Sequence, residues 1–463
     1  MKQSAQWADD DRCVADGARQ SKRLSFFRFF MRYPIFLLAF GPPIFRPLKG
    51  IDVTQGVVDF WSFIEVGLLA AITLRAIGRL SIAKSIIIPK QIRSILKYAF
   101  FLGLSYLAST AYSPSRFTTA AYSILYFLTM ICVVEFVADV SRNPPDWVQC
   151  LFQLRLIAIL LLITVLLTLL FNPVLVLLFA EGGTMRLLGG AVAPMALICP
   201  SIAIISAYSF LHSLESRVRA FLFFMVGLAG TLATQGRAGE IALFLCLVLL
   251  AIGWAGTSKR STYMFISGFM ASILLASVVI GAIGAGRIWN VFNRGQDAAG
   301  IASASGRTEV WAFVIHYCMA HPQGMGYVAG FRILFREYYS LDTGHQLSNL
   351  GTAHSVFVDT LAAAGWLGLV LYLIMMAKIL MIAWRFAKKE TRLNSVVDSV
   401  PRHGIRCAFL LLVFCCIYGM YDTEFSFPLR AGFYILYIII AMILGSAAQM
   451  LIASRVQPNA RVK

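Results

Sequence analysis

Charged residues are scarce in this sequence: Asp, Glu, Lys and Arg make up 13% of the 463 residues, whereas 59% are hydrophobic. The apolar residues come in runs of about 17–25 positions, close to the roughly 20 that a helix needs to cross the hydrocarbon core of a membrane. A soluble protein of this length would show periodic helices or alternating strands with many more charges between them. The composition therefore excludes an ordinary soluble protein.

Several signatures of enzyme chemistry are also missing. The sequence has no P-loop, no dinucleotide-binding glycine fingerprint and no Gly-x-Ser-x-Gly nucleophile elbow. The longest connection between apolar runs contains no Asp-x-Asp pair and no His/Cys/Asp cluster at ligand spacing. Only Cys318 of the nine cysteines lies there, so no disulfide framework is available. We therefore expect no metal site and no cofactor.

The apolar runs predict an all-α polytopic membrane protein with about twelve transmembrane helices. The first run is crowded by arginines and by Pro34, Pro42 and Pro43, so a re-entrant or interfacial segment is the alternative there and eleven spans are the fallback. The predicted spans are 30–46, 58–77, 98–112, 118–138, 154–171, 190–210, 218–235, 238–255, 263–285, 354–384, 405–421 and 430–452.

Lysine and arginine in the connections predict the orientation. When the N-terminus is placed inside, the basic tails and the basic connections near 75–97 and 385–406 all fall on the inner side, so both termini are expected to be cytoplasmic. The net charge of +18 then serves topology and anionic lipid headgroups rather than nucleic acid. The basic residues left outside are almost all arginines, which suit phosphate or carboxylate groups.

This orientation divides the chain into five parts. A flexible cytoplasmic tail (1–24) precedes spans one to nine (25–285), a large extracytoplasmic loop containing short helices (286–353), spans ten to twelve (354–452) and a cytoplasmic tail (453–463). Function concentrates in loops of such unusual length.

Within the loop, the segment SGRTEVW at 305–311 opens a predicted helix that runs to about Met319, with Ser305 as its N-cap. Arg307 would then lie in the first turn, where free backbone N–H groups and the helix dipole favour an anion. The functional interpretation is a phosphate clamp. The alternative is a surface helix whose Arg307 touches a lipid headgroup or Glu309.

The end of the loop offers a candidate general base. If Thr352 caps the following helix, His354 lies in the first turn, where the dipole disfavours imidazolium. A neutral imidazole could take a proton from a sugar hydroxyl, although a lone histidine more often packs or caps. His345 is a second candidate with poorer local geometry.

One further arginine, Arg237, lies in the very short connection between predicted spans seven and eight. A charge there needs a polar cavity or a partner. Arg237 is therefore either a second phosphate ligand on a rigid helix end or an ion-pair partner of Glu240. The loop residues Arg294 and Arg332 are further candidates for substrate binding.

Four motifs follow one another around this single loop: QGRAGE at 235–240, SGRTEVW at 305–311, HPQGMGY at 321–327, and AHSVFVD at 353–359 with AGWLG at 364–368. In order and spacing they resemble the O-antigen ligase and Wzy-type polymerase superfamily. The form of the motifs is most similar to exopolysaccharide polymerases. Many relatives carry Asn after the histidine, where this chain has Ser355.

The resemblance implies a membrane glycosyltransferase of the bacterial inner membrane with a periplasmic active site. Arg237 and Arg307 would bind the diphosphate of an undecaprenyl-diphosphate-linked glycan, and His354 would deprotonate the acceptor in an inverting, metal-independent transfer. Polymerisation of lipid-linked repeat units is the expected activity, with a chain-length regulator and a flippase of the same pathway as candidate partners.

Two other functions stay open from the sequence. A ligase would use the same donor but transfer finished glycan to lipid A core or another acceptor. A flippase for the lipid-linked unit is supported only by Glu65 inside a predicted span, and the chain lacks the two related halves typical of transporters.

Overall fold

A computed structural model describes residues 25–39, 60–82, 88–142, 145–171, 177–179, 185–187, 192–234, 236–251, 307–342, 353–388, 399–422 and 424–456. The α-helices in these ranges are α1 Phe26–Arg32, α2 Phe60–Ile82, α3 Lys90–Ala108, α4 Arg116–Arg142, α5 Trp147–Phe171, α6 Val192–Leu211, α7 Arg217–Thr234, α8 Arg237–Ala251, α9 Arg307–Ala320, α10 Ala329–Asp342, α11 Val356–Lys388, α12 Ser399–Gly419 and α13 Ala431–Val456.

Six of the described helices are long and apolar enough to cross a membrane. They coincide with predicted spans four, five, seven, ten, eleven and twelve. Two shorter apolar helices, Met195–Leu211 and Ala238–Ala251, lie on predicted spans six and eight. Helices α2 and α3 cover spans two and three but are not among the six, and predicted span nine lies outside the described residues. A helical membrane protein is thus confirmed, whereas the number twelve stays a prediction.

The first predicted span is wrong as a continuous helix over its described part. Helix α1 ends at Arg32, and a short 3-10 helix, Pro34–Ala39, follows. Pro34 has no backbone N–H, and its ring disfavours a helical conformation at the preceding residue, so α1 cannot continue through it. The segment nevertheless packs inward, since Phe29, Tyr33 and Phe36 are buried.

One small β-hairpin, which the sequence did not predict, accompanies the helices. Strands β1 (Leu177–Phe179) and β2 (Met185–Leu187) pair antiparallel, with Leu178 opposite Arg186. The sequence between them contains Gly182 and Gly183, residues that favour tight turns. Strands of three residues are too short to produce a recognisable alternating pattern.

Helix α13 is buried along most of its length and packs against α4 and α12. Helix α11 packs against α3 and α12, and α9 packs against the outer part of α11. Because every backbone polar group in hydrocarbon must be satisfied within its own segment, continuous helices are the expected form of these apolar runs.

Helix α11 is broken at Ala364 and Gly365, whose backbone angles are non-helical (φ −139°, ψ 22° and φ 63°, ψ −161°). The turn at 322–325 fills the break: the Trp366 N–H donates to the Pro322 carbonyl at 3.1 Å, and the Met325 N–H donates to the Ala362 carbonyl at 2.6 Å. A Cβ at Gly365 would lie 1.9 Å from the Pro322 oxygen, so only glycine fits there. The described part of the long loop is thereby joined to α11.

Candidate active site

Arg307 is the first residue of α9 and is partly buried. The predicted helix is confirmed, with bounds Arg307–Ala320, while its proposed cap Ser305 lies outside the described residues. An apolar face holds α9 against α10 and α11 through Val310, Val314 and Cys318. Arg307 therefore lies in the first turn, where unpaired backbone N–H groups favour an anion.

His354 lies just before α11 rather than in its first turn. The helix begins at Val356, and His354 has a left-handed backbone with φ 53°. The predicted cap Thr352 is outside the described residues. A positive φ is uncommon for a residue other than glycine and persists only where the surroundings impose it.

The surroundings hold Ala353, the residue that precedes His354, through both its backbone N–H and its carbonyl. The Ala353 N–H donates to Asp359 Oδ1 at 2.9 Å, and the Ala353 carbonyl accepts a hydrogen bond from Trp311 Nε1 at 2.8 Å. Asp359 Oδ2 in turn accepts a hydrogen bond from Ser426 Oγ at 2.7 Å. Asp359, Ala353 and Ser426 are all buried.

The electrostatic surroundings keep His354 neutral. Burial is the largest cause that lowers its pKa, from 6.5 to about 4, and the positive charges of Arg307 and Arg430 lower it further. The expectation of a neutral imidazole is therefore supported, but burial and two arginines cause it, whereas the sequence argument attributed it to a helix dipole. The structure places Arg307 close enough to His354 for its charge to act there.

Arg430 is the residue that sequence reasoning missed. Its Nη1 lies 3.2 Å from Glu424 Oε1, and its guanidinium lies 4.9 Å from the centre of the Phe427 ring. Burial and then the charge of Arg430 lower the pKa of Arg332, on α10. Three arginines, at 307, 332 and 430, therefore influence one region around His354. The available signal was an arginine in the short outer connection before the last span.

Three predicted site residues are not tested by this geometry. Arg237 is the first residue of α8, but its side chain lies outside the described part of the protein. Arg294 and His345 also fall outside the described residues. Their roles stay predictions.

The HPQGMGY segment has a structural role. Gly324 has φ 93°, and a Cβ there would lie 2.5 Å from the Gly365 nitrogen. Tyr327 stacks on Tyr106 at 4.0 Å, and its hydroxyl donates to the Ser426 carbonyl at 3.0 Å. Gly324 thereby permits close approach of this turn to α11.

Within the described residues, no group of three or more His, Cys, Asp or Glu side chains could hold a metal ion. The eight described cysteines are free thiols. The positive charges that act on His354 come from Arg307 and Arg430, and a guanidinium can bind phosphate oxygens through paired N–H donors.

These features define a polytopic helical membrane protein with a basic, histidine-containing site at the N-terminal end of one broken helix. Residues 220–373 match the O-antigen ligase family model. This match confirms, over those residues, the resemblance to the O-antigen ligase and Wzy-type superfamily. The matched range includes Arg237, Arg307, Arg332 and His354, whereas Arg430 follows it. No curated protein matches the chain.

Proposed function

We propose that this protein is a glycosyltransferase that polymerises undecaprenyl-diphosphate-linked repeat units into exopolysaccharide or O-antigen. The observation that carries the proposal is a neutral, half-buried His354 within the electrostatic reach of Arg307, inside the family-matched range. The family match supports ligase or polymerase chemistry in general. The polymerase assignment rests on the motif forms.

In the proposed reaction, His354 takes the proton of an acceptor sugar hydroxyl. The resulting oxygen attacks the anomeric carbon of the donor from the face opposite the diphosphate, so the configuration inverts. The anomeric carbon–oxygen bond breaks, and undecaprenyl diphosphate leaves with the bonding electrons. Arg307, together with Arg332 and Arg430, would stabilise the charge that develops on the diphosphate. Arg237 would supply a further guanidinium from α8.

The donor itself would tune the base. A pKa of about 4 keeps His354 unprotonated in the free protein, but it also makes the imidazole a weak base. A diphosphate bound to the arginines would offset their charge and raise the pKa of His354 towards the working pH, where general bases are most effective. We therefore expect the acid limb of kcat at a higher pH than the acid limb of kcat/KM.

The pH profile of an Arg430→Gln variant tests this electrostatic coupling. A base works only when unprotonated, so activity is lost as the pH falls through the pKa of His354. The substitution removes a charge that lowers this pKa, so the acid limb of kcat/KM, which reports the free enzyme, should move to higher pH. Arg116→Gln, at an exposed position at the start of α4, is the control and should leave the limb unchanged. An unshifted limb in Arg430→Gln would show that Arg430 does not act on His354.

The proposed setting is the bacterial inner membrane, with both termini cytoplasmic and the site on the periplasmic side. Metal independence is part of the proposal, because the arginines would supply the positive charge that metal ions supply elsewhere. The proposed partners are membrane lipid, a chain-length regulator and the flippase that delivers the donor.

Analysis of undecaprenyl-linked intermediates in a deletion strain tests the function. A polymerase predicts accumulation of single lipid-linked repeat units and loss of long lipid-linked polymer. The description of the matched family favours a ligase as the second candidate; a deletion strain that retains long lipid-linked polymer would select it. Transport of the lipid-linked unit in proteoliposomes without sugar transfer would instead select a transporter.

A further inference from the structure

The backbone at His354 is held by side chains from three separate parts of the fold. Trp311 comes from α9, Asp359 from α11, and Ser426 from the segment between α12 and α13. Their hydrogen bonds, of 2.8, 2.9 and 2.7 Å, form a chain that passes through the backbone carbonyl and N–H of Ala353. Both polar atoms that Ala353 presents to this chain are thereby satisfied inside the protein, where an unmade hydrogen bond would be costly.

Asp359 acts on the backbone rather than on an imidazole ring. Oδ1 accepts from the Ala353 N–H and Oδ2 accepts from the Ser426 hydroxyl. The Asp359 N–H also donates to the Ser355 carbonyl at 2.8 Å, which closes the first turn of α11. Asp359 therefore makes hydrogen bonds to the residues on both sides of His354, Ala353 and Ser355.

This arrangement explains how a histidine keeps a left-handed backbone. Residues in such conformations carry backbone strain and persist only where their neighbours impose the conformation. The two hydrogen bonds to the backbone N–H and carbonyl of Ala353 fix the direction in which the chain enters His354. Without them, the backbone could relax to negative φ and turn the imidazole away.

The same chain of hydrogen bonds connects the two functional residues. Trp311 lies one helical turn after Arg307, so the two side chains share a face of α9. The bond from Trp311 to Ala353 therefore sets where the N-terminus of α9 lies relative to His354. A site that transfers a sugar between a base and a diphosphate clamp depends on that separation.

We propose that Asp359 is a positioning residue: it holds the backbone N–H of Ala353, the residue that leads into the left-handed turn at His354, while Trp311 holds the Ala353–His354 peptide against α9. The role in transfer rests on the proposed function, whereas the hold on the peptide does not. Asp359 contacts neither the donor nor the acceptor in this proposal.

Two substitutions at Asp359 separate hydrogen bonding from charge. Asn keeps an oxygen for the Ala353 N–H and an amide that can donate to Ser426 Oγ, whereas Leu has a similar volume and neither group. We expect Asp359→Leu to lose amide protection at Ala353 in hydrogen–deuterium exchange and Asp359→Asn to retain it. Asp139→Leu removes another carboxylate, a partly buried one that pairs with Arg79 at 2.9 Å and lies far from the site in sequence, and serves as the control for general destabilisation.

Kinetics in proteoliposomes, with a synthetic undecaprenyl-diphosphate-linked repeat unit as donor, give the second measurement. Misplacing a catalytic group by about 1 Å can cost about 100-fold in rate, so Asp359→Leu should lower kcat by that order while leaving the donor KM nearly unchanged. Asp359→Asn should keep most of the wild-type kcat. Trp311→Phe, which keeps the ring and removes the donor, should also lower kcat more than KM.

Three results of these measurements would overturn the proposal. Equal damage by Asn and Leu would show that charge, rather than hydrogen bonding, is needed, and unchanged protection at Ala353 in Asp359→Leu would show that Asp359 does not hold the peptide. Either result overturns the proposal, as does lost protection with normal kcat. If the wild-type protein transfers no sugar, the proposed function fails, while the exchange data still decide whether Asp359 holds the turn.

Discussion

Replacement of His354 by alanine is expected to abolish polymer formation while leaving the amount of protein in the membrane unchanged. General-base catalysis contributes about 100- to 10,000-fold to rate, and no other histidine of the described residues is linked to the two arginines that influence His354. Polymer is measured in a deletion strain complemented with the variant, and protein by immunoblot of the membrane fraction.

His316→Ala provides the matched control, because His316 is exposed on α9 and lies on the helix that also carries Arg307. That variant should make normal polymer. Near wild-type polymer from His354→Ala would remove His354 from the site and, with it, the proposed proton transfer.

Arg307→Lys is expected to be nearly as damaging, although it keeps the positive charge. A guanidinium can form two parallel hydrogen bonds to phosphate oxygens, whereas an ammonium is a single point charge. Removal of a donor that is aimed at a developing negative charge typically costs about 100- to 1,000-fold in kcat. Steady-state kinetics with the lipid-linked donor in proteoliposomes measure the effect.

Arg217→Lys is a suitable control for this substitution, since Arg217 is also the first residue of a helix, α7, but is exposed. Its kinetics should match those of the wild type. If Arg307→Lys also retained full kcat, a bidentate contact at this position would not be part of the mechanism.

The long apolar helices were predictable because the apolar run that is visible in the sequence is also the physical reason why the helix forms. A run of about 20 apolar residues becomes a helix in hydrocarbon, since no other single segment satisfies its own backbone there. The prediction of a continuous helix was wrong for the first run because Pro34 ends the helix locally. The β-hairpin was not predicted because strands of three residues leave almost no alternating pattern. The break in α11 was not predicted because it depends on the approach of Gly365 to the Pro322 carbonyl, a contact made only in the folded chain.

The candidate site was predictable where it depends on local chemistry. Arg307 at a helix start follows from the helix-capping pattern. Arg430 did not follow, because its influence on His354 arises from tertiary packing between the last two spans and the long loop. Asp359 was likewise hidden: in sequence it is one carboxylate inside an apolar span, and only the fold shows its oxygens turned to Ala353 and Ser426.

The break in α11 also fixes the turn at 322–325 in place. Lifting the turn at 322–325 away from the helix would separate the Trp366 N–H from the Pro322 carbonyl and the Met325 N–H from the Ala362 carbonyl. Met325 and Ala362 are buried, and each of their two polar groups left without a partner would cost about 1–3 kcal/mol, so the lifted state would be a rare member of the ensemble. This turn therefore behaves as a fixed wall rather than as a movable lid.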